Sequence, residues 1–190
     1  EHKLETSGKK KNLKNLKNSI TKKVKITSIR QEEALGLGHA ILCANHLIND
    51  EPFAVLLPDE ILMPKEDSHD FAEMLSYYEK SGKGQILVEK VSKKIISHYG
   101  VVDINGSSIR KSISASISKL VEKPKQHKSP SNLRIVGRYI LPFKIMSILL
   151  KQKKGKDGEI QLTDALDSLV KNHPSALQAF LSNSDIFDCG

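Results

Sequence analysis

With 190 residues, 38% of them hydrophobic and 27% charged, the chain is long enough for one α/β domain with a sizeable core and has the composition of a soluble globular protein. No apolar run approaches the roughly 18 residues of a membrane helix and no signal-peptide pattern opens the chain, so a cytoplasmic location with no membrane partner is expected. The net charge of +8 is local, because residues 1–30 hold ten Lys/Arg against two Asp/Glu while the other 160 hold twenty of each.

Leu13, Leu16 and Ile20 recur at helical spacing among Lys and Asn, predicting an amphipathic surface helix within a lysine-rich region, residues 1–23. No aromatic residue is interleaved there to stack on bases, so a solvated helix face is the simpler reading and no nucleic-acid partner is expected. Val24 and Ile26 alternate with Lys25 and Thr27, predicting a short half-buried strand that reaches Arg30. Beyond Gly36 and Gly38, the residues Ala40, Ile41, Ala44, Leu47 and Ile48 fall on one helical stripe. Cys43 lies within it as a core thiol; Cys189 is far away and no CxxC pair occurs, which argues against a disulfide framework or a zinc site.

Phe53–Leu57 is a continuous apolar run ending in Pro58-Asp59, the pattern of a strand buried on both faces of a mostly parallel sheet. Phe71, Met74, Leu75 and Tyr78 predict a helix that stops near Gly82 and Gly84, and residues 85–91 read as the next strand. Residues 99–104, the dipeptide Asn105-Gly106 and a Ser/Ile-rich stretch give the clearest hairpin signal. Residues 119–122 lead into Lys123-Pro124. A strand over Leu133–Leu141, two helices around 143–150 and 160–170, and short strand-like pieces over 177–189 complete the chain. The order predicts a three-layer α/β/α domain with a mixed, mostly parallel sheet and a β-hairpin insertion.

Ligands of open parallel sheets bind outside the carboxyl ends of strands, and three stretches qualify. Residues 31–40 leave a strand and enter a helix through two close glycines, a turn that lets backbone approach a flat ligand and points N–H groups at it; G-x-G also marks many ordinary turns. Asp59 follows an apolar strand and suits Mg²⁺ held between phosphates, or a plain helix cap. Glu122 and Lys123 point to opposite sides of their strand, so one can serve sugar hydroxyls and the other a phosphate, or both are merely exposed charges.

Taken in order, LGLGHAILCA (35–44), EPFAVLLPDEIL (51–62), YGVVD (99–103), VEKP (121–124), PSNLRIVGRYIL (130–141), GEIQLTDA (158–165) and FDCG (187–190) resemble bacterial UTP–glucose-1-phosphate uridylyltransferases. The resemblance runs through nearly the whole chain. It implies a Rossmann-like nucleotidyltransferase fold and the reaction of UTP with glucose 1-phosphate to give UDP-glucose and pyrophosphate, by in-line attack on the α-phosphorus. It further implies that Gln31 and the backbone at Gly36 contact uracil. Asp59 and Asp188 bind Mg²⁺. Gly100 and Glu122 hold glucose hydroxyls, Val136 lines the sugar site, and Lys123 pairs with the sugar phosphate. Glu159, Gln161 and Asp164 are implied as structural support. A homo-oligomer is expected.

The chain also departs from the family's pattern. The Gly-rich loop with its Arg and Lys that grip the triphosphate has no counterpart. Nor does the family's further C-terminal helical segment, and Ile186 stands where an Arg is expected. Residues 1–190 are therefore expected to form a single, incomplete nucleotidyltransferase domain. The competing expectations are a fragment that only binds sugar phosphate or dimerises, and a thymidylyl or other sugar-1-phosphate transferase.

Overall fold

The computed structural model describes Asn12 and residues 24–65, 69–155 and 158–190. The chain divides into two compact units, residues 1–30 and 31–190. The helix expected over residues 13–20 lies outside the described residues. The strand expected over 24–30 does not form: these residues have neither helix nor strand, and Val24 and Ile26 are 57% and 68% exposed. Alternation marks a strand only where a neighbour completes the ladder and covers one face. None of the described helices is long and apolar enough to cross a membrane.

The second unit is built on a seven-stranded mixed sheet. Its strands are β1 (Phe53–Leu56), β3 (Gly84–Lys90), β4 (Val101–Asp103), β5 (Ser114–Ser116), β6 (Lys119–Val121), β7 (Leu133–Leu141) and β8 (Leu177–Leu181), while β2 (Glu60–Met63) and β9 (Asp185–Asp188) form a separate two-stranded ribbon. The main path runs β5-β8-β3-β7-β4-β6, and β1 also pairs with β7. The mixed sheet is as expected, but its balance is not: among the described strand pairs only β3/β8 is parallel. β1 accordingly alternates half-buried and exposed residues instead of being buried on both faces.

Alternation along the central strands produces three layers. Ile86, Val88, Ile135 and Leu141 face one side, packing with α1 (Leu37–Cys43), α3 (Lys144–Lys151) and α4 (Leu162–Asn172). Leu87, Val136 and Ile140 face the other, against Met74 of α2 (Asp70–Ser81) and Phe180. The helix α2 stops where expected because Gly82, at φ 65°, takes the left-handed cap and donates its N–H to Tyr78 O.

The Asn105-Gly106 turn forms, with φ of 51° and 71°, and Ser107 N–H closes it on Ile104 O. The hairpin it was expected to close does not. β4 pairs instead with β6, and the intervening β5 crosses to the far edge of the sheet to pair with β8. A tight turn fixes only the local chain direction. The ladder goes to the segment whose apolar residues complete the core, here Leu120 of β6, which is buried.

Candidate active site

The nine-residue β7 shares one edge between two partners. Its N-terminal end pairs with β4, Val101 opposite Arg134, and its C-terminal end with β1, Leu56 opposite Arg138. Between these registers β4 and β1 fork apart. The fork is held by two further bonds, Ile135 N–H to Gly100 O at 2.8 Å and Leu57 N–H to Gly137 O at 2.8 Å. A cleft of about 310 Å³ opens there, lined among others by Asp59, Gly100, Glu122, Lys123, Tyr139 and Asp188. Gly137 is required at the fork: a Cβ there would lie 2.6 Å from Leu57 Cβ.

The two carboxylates at the mouth are brought together by the β2/β9 ribbon, whose register sets Glu60 opposite Asp188, and by Cys189 N–H bonded to Asp59 O at 2.7 Å. One point beside Gly190 lies 3.2 Å from Asp59 Oδ2 and 3.6 Å from Asp188 Oδ1, so the oxygens converge. Asp188 accepts from Tyr99 Oη at 3.1 Å and from Gly190 N–H. The Asp59 carboxylate has no hydrogen bond among the described residues. Its backbone is clamped by Arg138, whose guanidinium donates to Leu57 O and Glu60 O, each at 2.6 Å.

Below the mouth lies a buried charge cluster. Arg134, 3% exposed, donates to Glu60 Oε1 at 2.5 Å and to Glu89 Oε2 at 2.7 Å, while Glu60 Oε2 accepts from Gly137 N–H. Burial works against the guanidinium charge, and the hydrogen bonds to Glu89 and Glu60 outweigh it, so the Arg134 pKa is raised. Burial, then the hydrogen bond to Asp188, raises the Tyr99 phenol, with Arg134 pulling the other way.

The opposite wall carries Gly100, Glu122, Lys123 and Thr163. Lys123 N–H bonds to Tyr99 O, and its backbone sits at φ 40° directly before Pro124, a conformation proline disfavours in its predecessor. Strained backbone held in place by surrounding structure is a feature of ligand sites. Tyr139 is buried and its phenol is pushed well above the ordinary range, first by burial and then by the charges of Glu122, Glu60 and Asp59.

Three expected site residues lie elsewhere. Val136 does not line the cleft: alternation turns its side chain into the core with Met74 and Phe180, and its neighbours Ile135 and Gly137 face the cleft. Gln31 and Gly36 are outside it too, joined to each other by Gln31 Nε2 donating to Gly36 O at 3.1 Å; the same nitrogen donates to His39 Nδ1 at 3.0 Å. The Gly38 N–H, expected to face a ligand, is spent on Ile160 O, and Ile160 N–H bonds back to Leu35 O. The two motifs LGLG and GEIQ are thus one docked unit, consistent with a supporting role for Glu159 and Gln161.

A family model described as nucleotidyl transferase matches residues 4–188. The chain belongs to that family. It is 38% identical over 190 residues to a UTP–glucose-1-phosphate uridylyltransferase of Haemophilus influenzae, a match that covers 98% of this chain and 64% of the relative. A UTP-bound UDP-glucose pyrophosphorylase structure from Acinetobacter baumannii is similar at TM-score 0.83 and 37% identity, covering 99% of this chain and 63% of the other. A UDP-glucose pyrophosphorylase solved with UDP-glucose is similar at TM-score 0.85 and 37% identity, covering 96% and 67%. The chain therefore spans a little under two thirds of the curated relative's length.

Sequence reasoning missed Glu60, Glu89, Tyr99, Arg134, Arg138, Tyr139 and Thr163. Period-2 patterning hides Arg134 and Arg138, which sit in a strand whose other residues are apolar. An arginine inside such a strand is itself the usable signal, since a buried cation requires carboxylate partners.

Proposed function

We propose that this chain serves an enzyme joining UTP and glucose 1-phosphate into UDP-glucose with release of pyrophosphate, and that its cleft holds the sugar phosphate and Mg²⁺. The observation that carries this reading is the convergence of Asp59 and Asp188 at one end of a cleft whose far wall is Gly100, Glu122 and Lys123. The donors suit the ion: two carboxylates and, among the described residues, no cage of three or more His, Cys, Asp or Glu, which matches Mg²⁺ completing its shell with water and phosphate oxygens. In this reading Asp59 and Asp188 hold Mg²⁺, which when bound supplies positive charge between the phosphates.

Lys123 pairs its ammonium with the phosphate of glucose 1-phosphate, where a compact point charge suits a rotating oxyanion. Glu122 and the Gly100 backbone take sugar hydroxyls. The Gln31 carbonyl oxygen, its amide nitrogen already engaged, and the Gly36 backbone take uracil. The phosphate oxygen of glucose 1-phosphate attacks the α-phosphorus in line; the new P–O bond forms as the bond to pyrophosphate breaks, a reaction served by positioning and charge neutralisation. Residues 1–190 act as one nucleotidyltransferase domain with residues 1–23 as its basic surface helix, in a cytoplasmic homo-oligomer. The chain supplied with UTP and Mg²⁺ should release pyrophosphate only when glucose 1-phosphate is added. Sugar-independent release, or none from folded protein, contradicts the reading.

A further inference from the structure

We infer that Thr163 is a specificity residue that hydrogen-bonds a hexose hydroxyl, acting beside Glu122 over the bare Cα of Gly100. The inference rests on the sugar-site reading above and adds a residue to it. Thr163 is the second residue of α4, is 7% exposed and lines the cleft. A helical threonine ordinarily turns its hydroxyl back to a carbonyl of the preceding turn. At this position Oγ1 has no hydrogen-bond partner among the described residues, although a buried hydroxyl left unpaired is unfavourable. A ligand group supplies the missing partner.

The surroundings define what that group is. A single point beside Gly100, where a Cβ would stand in any other residue, lies 3.0 Å from Thr163 Oγ1, 3.2 Å from Glu122 Oε2 and 3.1 Å from Ile135 Cδ1. A carboxylate accepts only, a hydroxyl both donates and accepts, and Ile135 adds an apolar wall. A neutral hydroxyl satisfies both oxygens, and the C–H face of a pyranose ring suits the isoleucine. A phosphate at the same point would meet the charge of Glu122, so the ligand class is a polyol ring. Glycine at position 100 keeps the point open.

The test compares UDP-glucose with UDP, both with Mg²⁺, by calorimetric titration of the wild-type chain, Thr163→Val and Thr163→Ser. The wild type is expected to bind UDP-glucose more tightly than UDP. Thr163→Val keeps the shape and removes the hydroxyl; it should weaken UDP-glucose roughly three- to tenfold and leave UDP unchanged. Thr163→Ser should restore most of the difference. Equal weakening of both ligands, or an unchanged UDP-glucose affinity in folded Thr163→Val, would overturn the role of Thr163 while leaving the sugar site standing. A wild-type chain that binds UDP-glucose no more tightly than UDP would overturn both. Should the valine variant not fold, the wild-type and serine titrations decide: a serine variant that loses the preference for UDP-glucose refutes a role carried by the hydroxyl.

Discussion

The guanidinium carbon of Arg134 lies 4.6 Å from the centroid of the Tyr99 ring, and this stack joins a buried charge cluster to the mouth of the cleft. Below the ring, Arg134 holds Glu60 and Glu89. At its edge, the Tyr99 hydroxyl bonds to Asp188. The side chain that neutralises two buried carboxylates therefore also supports the group that orients an exposed one.

Removing Arg134 tests the lower half of this arrangement. Arg134→Met leaves Glu60, itself 9% exposed, without its cation, and a broken buried pair costs about 3–5 kcal/mol. Urea unfolding of the variant should show a loss of that order. A loss under about 1 kcal/mol would mean that the cluster is not held as described.

Tyr99→Phe tests the upper half. It keeps the ring over Arg134 and removes only the bond to Asp188, so stability should change little. Affinity for Mn²⁺, followed by electron paramagnetic resonance, should fall about tenfold, as for other groups that orient a metal ligand. Unchanged affinity would detach Tyr99 from the ion.

Asp59→Asn separates binding from folding. Its carboxylate is exposed and has no hydrogen bond among the described residues, so the urea midpoint should stay within about 0.5 kcal/mol of wild type. Mn²⁺ binding should nevertheless drop tenfold or more. Retained binding would remove Asp59 from the metal site.

Tyr139 sets an alkaline limit. Its phenol has an ordinary value of 10.0 and is raised in the fold, first by burial and then by Glu122, Glu60 and Asp59. The folded chain therefore holds this proton where the unfolded chain releases it. The stabilising contribution is complete below pH about 10 and is lost as pH rises from there towards the folded value. Urea midpoints between about pH 8 and 11 should fall more steeply for wild type than for Tyr139→Phe; parallel curves would contradict the assignment.

Much of the scaffold was legible because it depends on local periodicity. The strand β7 matches its expected limits, Leu133–Leu141, and the stripe Phe71, Met74, Leu75 and Tyr78 marks α2. What periodicity does not contain is partner choice. The Asn105-Gly106 turn gave its own geometry but not the pairing of β4 with β6. Nor could the cluster be read, since Arg134 meets carboxylates 45 and 74 positions away. Ordered motifs brought Asp59, Gly100, Glu122, Lys123 and Asp188 onto one short roll, and the fold gathers those five at one cleft. Val136 fell outside for the simplest reason, a one-residue step along a strand that turns a side chain to the opposite face.

The most direct measurement is a calorimetric titration of the 190-residue chain with UDP-glucose, with and without Mg²⁺, repeated on Lys123→Ala. The account predicts saturable binding strengthened by Mg²⁺, weakened roughly ten- to a hundredfold by loss of the charged partner at Lys123. Folded chain that binds no UDP-glucose, or binds it equally well without Lys123 and without Mg²⁺, would contradict the placement of the sugar nucleotide in this cleft.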